Sequence, residues 1–206
     1  MGVGFGGNAV FNRASPSSYD ACVARIAADY LSNIRRPPAR VLDIGGTDRG
    51  FRSRGGLPPR AQVIIANPER GVGADFDYVS SIGPNVEGFD LAMLFGVMMY
   101  IERAPLVGLM RDVRQRLRGA GTLLIAEPDP EGVLGKAEVA AKTIYAAVRS
   151  LWDPTKFHFH SKGETAEMLR EAGFVRITER PDLTPNAMKV TWPPPQPRYF
   201  VVAATV

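Results

Sequence analysis

The chain is poor in the residues that most often announce a site. It has one cysteine, Cys22, and two histidines, His158 and His160, among 206 residues. A single thiol forms no internal disulfide and no cysteine cluster, which fits a reducing cytoplasm. The two histidines lack a third ligand at useful spacing, so no metal is expected. No window approaches a membrane span, and the first residues lack the basic-then-apolar order of an export signal. Lysine is scarce as well, since 20 of the 25 basic residues are arginine. Those arginines are not interleaved with an aromatic platform, which argues against a broad nucleic-acid groove. No internal repeat is visible.

What is present is enough for one compact domain: 45% of the residues are hydrophobic. Residues 1–18 are rich in Gly, Asn, Ser and Pro and read as a flexible arm, with a single domain over 19–206. Gly2-Val3-Gly4-Phe5-Gly6-Gly7 matches a dinucleotide-binding pattern letter for letter, but no strand precedes it, so it reads as a chance match. The most informative stretch is Arg40-Val41-Leu42-Asp43-Ile44-Gly45-Gly46-Thr47-Asp48-Arg49-Gly50. A short apolar run carrying an acid passes straight into glycines, as when a buried parallel strand feeds a tight turn beneath a nucleotide-like ligand.

Apolar spacing then sets out the elements. Cys22, Val23, Ile26, Ala27, Tyr30, Leu31 and Ile34 recur at helical intervals and place Cys22 in the core; Pro37-Pro38 ends that helix. Strands are expected at 40–44, 61–66, 89–95, 122–126, 174–179 and 199–205, with a weak additional one near 72–76. Helices are expected at 104–118, stopped by Gly119-Ala120-Gly121, at 132–151 and at 163–172. Met98, Met99, Met110 and Met168 read as core. Alternating strands and helices closed by a strand pair predict a doubly wound α/β sheet.

The order of these pieces resembles the class I S-adenosylmethionine-dependent methyltransferases of the small-molecule type. Val41-Leu42-Asp43-Ile44-Gly45 is similar to that family's first motif. Residues 88–101 resemble its fourth strand and the loop beneath the methyl donor. Leu117-Arg118-Gly119-Ala120-Gly121-Thr122 onward to Pro128 resembles its fifth strand, and Phe159-His160-Ser161 to Phe174 the segment before its sixth. The resemblance implies a Rossmann-like sheet of seven strands, mostly parallel with the last antiparallel. It also implies S-adenosylmethionine as cofactor, S-adenosylhomocysteine as product, and no metal.

The resemblance assigns Asp43, Gly45, Gly46 and Thr47 to the amino-acid end of the cofactor. Asn67 or Glu69 falls at the ribose, where the family usually offers an acid, and Asp75 or Asp77 at the adenine amino group. Phe95 and Gly96 close the pocket. Thr47 and Arg49 stand where the family usually has glycines, and Tyr100 where it has a histidine. For the acceptor, a neutral imidazole is the usual base near neutral pH, so His160 or His158 is the candidate, with Glu127 a second. Tyr100, Tyr145, Trp152 and Trp192 are candidate substrate contacts, on or beside cap elements at about 131–162 and 181–198. The apolar face of the 132–151 helix (Val139, Ile144, Tyr145, Val148) covers substrate, forms a dimer contact or is core. Arg49, Arg52 and Arg54 offer an anion contact or a solvated helix face. The function implied is methyl transfer to oxygen or nitrogen of a small molecule such as a sugar, a nucleoside or another secondary metabolite. The alternative is a protein of the same fold that binds the cofactor or a nucleoside without transfer; an RNA methyltransferase ranks below both.

Overall fold

A computed structural model of the protein describes residues 30–31, 39–47, 61–149, 156–183 and 199–206. Its strands are β1 (Arg40–Ile44), β2 (Gln62–Ala66), β3 (Phe89–Phe95), β4 (Leu117–Pro128), β5 (Arg176–Glu179) and β6 (Tyr199–Thr205). Its helices are α1 (Arg103–Arg116), α2 (Val133–Arg149) and α3 (Lys162–Glu171). The sheet runs β2-β1-β3-β4-β6-β5. The first four strands are parallel, and β6 is antiparallel to both of its neighbours.

Near-continuous apolar runs form the middle of this sheet because both of its faces are covered. Alternate residues divide between two core layers. Leu42 and Ile44 join Met110, Leu123, Met168 and Leu169 on the side of α1 and α3. Val41 joins Leu91, Met93, Leu124, Leu31 and Leu183 on the other. Met98, Met99, Met110 and Met168 are all buried, as the sequence predicts. Tyr30 and Leu31 are helical; the rest of the expected first helix, with Cys22, lies outside the described residues, as do residues 1–18.

Two expectations are corrected. Six strands are present among the described residues; the weak strand expected near 72–76 is a single parallel bridge, Ala66 to Phe76. Around that bridge the Asp75 and Phe76 amides donate to the Ile65 carbonyl, while the Asp75 carboxylate accepts from Ile65 N–H at 2.8 Å. The Asp75 side chain thus takes up an edge amide of β2 that a longer strand would pair. The second correction concerns Gly119-Ala120-Gly121, which does not end a helix. The helix stops at Arg116, and the glycines lie inside a twelve-residue β4. The reason is close approach: a Cβ on Gly121 would fall 2.7 Å from the Phe89 carbonyl oxygen.

The start of α3 is fixed by a capping box. Ser161 Oγ accepts from Glu164 N–H at 3.2 Å, and the Glu164 carboxylate accepts from Ser161 N–H at 2.7 Å. Ser161→Ala is expected to lower stability by about 1 kcal/mol, read as a lower urea midpoint with an unchanged slope.

Candidate functional site

Four parallel strands deliver their C-terminal ends to one edge of the sheet. Chain order reverses between β1 and β3, so a crevice opens there, at the kind of switch point where open α/β sheets bind ligands. Its walls are Gly45–Thr47 after β1, Asn67–Glu69 after β2, Gly96–Tyr100 after β3, and Glu127–Pro128 at the end of β4.

The turn after β1 is built around Gly45, whose φ is +78° and whose N–H donates to the Ala66 carbonyl at 2.8 Å. A Cβ there would lie 2.4 Å from Val97 Cγ2, so only glycine lets the turn lie against the turn after β3. The Asp43 carboxylate, on a residue 7% exposed, folds over Gly46 so closely that a Cβ at Gly46 would overlap it. Asp43, Gly45, Gly46 and Thr47 therefore line one wall together.

Asn67 binds this turn from the neighbouring strand. Its amide nitrogen donates to the carbonyls of Gly45 at 3.1 Å and Gly46 at 2.9 Å, and its oxygen accepts from Glu69 N–H at 2.9 Å. The neighbours fix the amide's orientation, since carbonyls only accept and an N–H only donates. An acid here could make neither bond to the turn. The residue is 7% exposed and directs both halves of its amide into the protein. Glu69 and Asp77 are exposed, while Asp75 serves the edge of β2.

Glu127 does the reciprocal work on the far wall. It is 4% exposed, and its Oε1 accepts from Val97 N–H at 2.7 Å and Met98 N–H at 2.8 Å. These bonds shape the turn that carries Val97 onto Gly45 and use one carboxylate oxygen. Burial pushes the carboxyl up to about 7, with the backbone N–H groups of Met98, Val97 and Gly96 and the charge of Lys142 opposing. Glu127 lines a small cleft, with roughly room for one water, together with Met98, Met99, Pro128, His158, Phe159 and His160. Phe95 and Gly96 follow in the same wall, and the Gly96 N–H donates to the Ala126 carbonyl at 2.9 Å.

The histidine segment lies across that cleft. The His158 backbone N–H donates to the Met99 carbonyl at 2.8 Å, and its ring Nε2 stands 3.9 Å from a Glu102 carboxylate oxygen. His160 Nε2 lies 3.1 Å from the Ile101 carbonyl oxygen. A carbonyl only accepts, so Nε2 carries the proton and Nδ1 is the nitrogen left for base chemistry. Ser161, not a histidine, caps α3.

Tyr100 is 58% exposed, and its ring packs against Phe157 with centroids 5.6 Å apart. Burial, then the charges of Glu127, Glu138 and Glu69, hold its hydroxyl above the ordinary range. Of the three readings of the apolar face of α2, the structure bears on core alone. Ile144 and Val148 are 66% and 58% exposed, so they are not core. The less exposed seam of the helix is Gly135, Glu138, Val139, Lys142 and Ala146, with Tyr145 at its margin. Sequence reasoning missed Glu138 and Lys142 because the hydropathy pattern drew attention to the other face. Their i, i+4 spacing was the available signal. Trp152, Trp192, Arg49, Arg52 and Arg54 lie outside the described residues.

No protein-family model matches this chain, and no curated protein matches it. Solved structures do. A magnesium protoporphyrin IX methyltransferase of Synechocystis with bound S-adenosylhomocysteine has a TM-score of 0.63 at 11% identity, covering 100% of this chain and 88% of its own. A SAM-dependent methyltransferase of Thermotoga maritima has a TM-score of 0.61 at 16% identity, covering 95% and 94%. A Nostoc punctiforme structure assigned to the O-methyltransferases has a TM-score of 0.60 at 16% identity, covering 90% of this chain. This chain spans only 56% of that last one. The fold is therefore that of the S-adenosylmethionine-dependent methyltransferases, an open Rossmann-like α/β sheet.

Two variants separate structural from chemical roles. Glu127→Ala leaves two buried N–H groups without an acceptor and is expected to cost about 2–4 kcal/mol, whereas Glu127→Gln keeps the acceptor and costs much less. Because the carboxyl is raised in the fold, its stabilising contribution is complete below its ordinary 4.5 and is lost as pH rises through about 7. Wild-type stability measured relative to Glu127→Gln should fall across that window; a flat difference would contradict the burial argument. Asn67→Asp should unfold at lower urea than Asn67→Ala, since a carboxylate would face two carbonyl oxygens.

Proposed function

We propose that the protein is an S-adenosylmethionine-dependent methyltransferase acting on oxygen or nitrogen of a small molecule. The observation that carries this reading is the built crevice, in which Asn67 fixes the turn after β1 and Glu127 fixes the turn after β3, with Val97 lying against Gly45 between them. The residues fit such a cofactor. Gly45 and Gly46 keep the turn after β1 packed against Val97 and the buried Asp43 carboxylate, where a Cβ at either position would collide. Asp43, Gly45, Gly46 and Thr47 would take the amino-acid end. Glu69 is the better candidate for the ribose, since Asn67 already spends its amide on the turn. Asp77 is the better candidate for the adenine amino group, since Asp75 serves β2. Phe95 and Gly96 would close the pocket at the end of β3.

Bound S-adenosylmethionine supplies a sulfonium methyl open to in-line attack. The chain's own part is to hold the acceptor, exclude water and receive the acceptor's proton. His160 Nδ1 is the first candidate for that proton, with Nε2 anchored on Ile101. Glu127 is the second; a carboxyl near 7 can take a proton at neutral pH. Tyr100 and Tyr145 stand on the acceptor side.

Calorimetric titration with S-adenosylmethionine and with S-adenosylhomocysteine tests the cofactor reading. Micromolar binding of both is expected, and binding of neither would overturn it. With an acceptor found by screening, His160→Ala should slow turnover by about 10²-fold or more and change S-adenosylhomocysteine affinity by no more than about twofold. Unchanged turnover would remove His160 from the mechanism and leave Glu127 as the base.

A further inference from the structure

The side chains around Lys142 form an arrangement that the methyl-transfer reading leaves unused. The Lys142 side chain is 15% exposed, although α2 as a whole faces solvent. Its Nζ lies 5.8 Å from the ring centroids of both Phe157 and Phe159, within the distance at which a ring face attracts a cation. A Glu138 carboxylate oxygen pairs with it at 2.6 Å, and Met99 Sδ accepts at 3.2 Å. Tyr100 extends the aromatic wall through Phe157.

The surrounding charge has the matching sign. The charges that act on the Tyr100 hydroxyl are those of Glu127, Glu138 and Glu69, and Glu138 and Glu127 also act on Tyr199. All are carboxylates, in a chain whose formal net charge is +4. Glu127, 4% exposed, lines the adjoining cleft. Ring faces backed by carboxylates make a receptor for positive charge, and its occupant is the chain's own lysine on a flexible stem.

We propose that this box recognises an alkylammonium group on the acceptor molecule, which displaces Lys142 from the faces of Phe157 and Phe159. Lys142 can move its ammonium to water along α2, because long basic side chains keep their stems on the protein while the charge is solvated, and the pairing with Glu138 that it gives up passes to the incoming cation. The incoming cation then gains both rings and Glu138. An anionic group would meet Glu138 and Glu127 instead. A neutral one would gain ring contact but none of the charge attraction. Calling the ligand an acceptor rests on the methyltransferase reading; the cation site does not.

The test uses the full chain and two probes of the same shape, choline and its neutral carbon isostere 3,3-dimethylbutanol, titrated by ligand-observed NMR. S-Adenosylhomocysteine is titrated separately on the same preparation. Choline is expected to bind at least about tenfold more tightly than the isostere. Phe159→Leu, which keeps an apolar side chain, should cut that preference by about threefold or more, leaving the share owed to Phe157 and Glu138. Lys142→Met should tighten choline binding by about tenfold, because a tethered competitor has been removed. Equal binding of the two probes, no choline binding, or a choline affinity unmoved by both substitutions would overturn the proposal. If Lys142→Met does not fold, the Phe159→Leu comparison decides alone. Choline binding without S-adenosylhomocysteine binding would keep the cation site and end the methyltransferase reading. The reverse result would do the opposite.

Discussion

The arrangement rests on a backbone problem at the ends of the parallel strands. The turns after β1 and β3 leave the sheet at the point where chain order reverses, so their main-chain groups lose the ladder that satisfied them. Two side chains take over. Asn67, from the end of β2, donates to two carbonyls of the first turn; Glu127, from the end of β4, accepts from two N–H groups of the second. The carbonyl side needs a donor that a carboxylate cannot supply, whereas the N–H side needs only an acceptor, which a carboxylate or an amide oxygen provides. Between them Val97 lies against Gly45, which has neither room nor backbone angles for another residue.

This constraint ties the two halves of the crevice together. The carboxylate that shapes the turn after β3 also lines the cleft crossed by His158, Phe159 and His160. His160 is placed from both sides, by its bond to Ile101 and by the capping box that begins at Ser161. Lys142 links α2 to the same segment through the rings of Phe157 and Phe159. The helix therefore meets the site through a polar seam and leaves Ile144 and Val148 to solvent.

Much of the fold was legible because it depends on hydrophobic pattern. The apolar run at 91–95 and the acid-then-glycine exit at 43–46 lie where they were expected, in a central strand and at the end of β1. The boundary of β4 was not legible, since glycines usually stop a helix and here they permit a close strand crossing at Phe89. Asn67 shows a different limit. Its spacing from the glycine turn marks a place beside the crevice, but spacing does not tell whether an amide faces outward to a ligand or inward to a carbonyl. Glu138 and Lys142 were hidden for a third reason. A polar pair on an exposed helix is ordinary by composition, and only the aromatic rings of a distant segment give it meaning.

Hydrogen–deuterium exchange followed by mass spectrometry, with and without S-adenosylhomocysteine, tests the central claim most directly. Protection is expected in peptides covering 43–47, 66–77 and 95–99, the segments that wall the crevice and include the turns fixed by Asn67 and Glu127. Protection confined to other segments, or none at saturating ligand, would contradict the placement of the cofactor in this crevice.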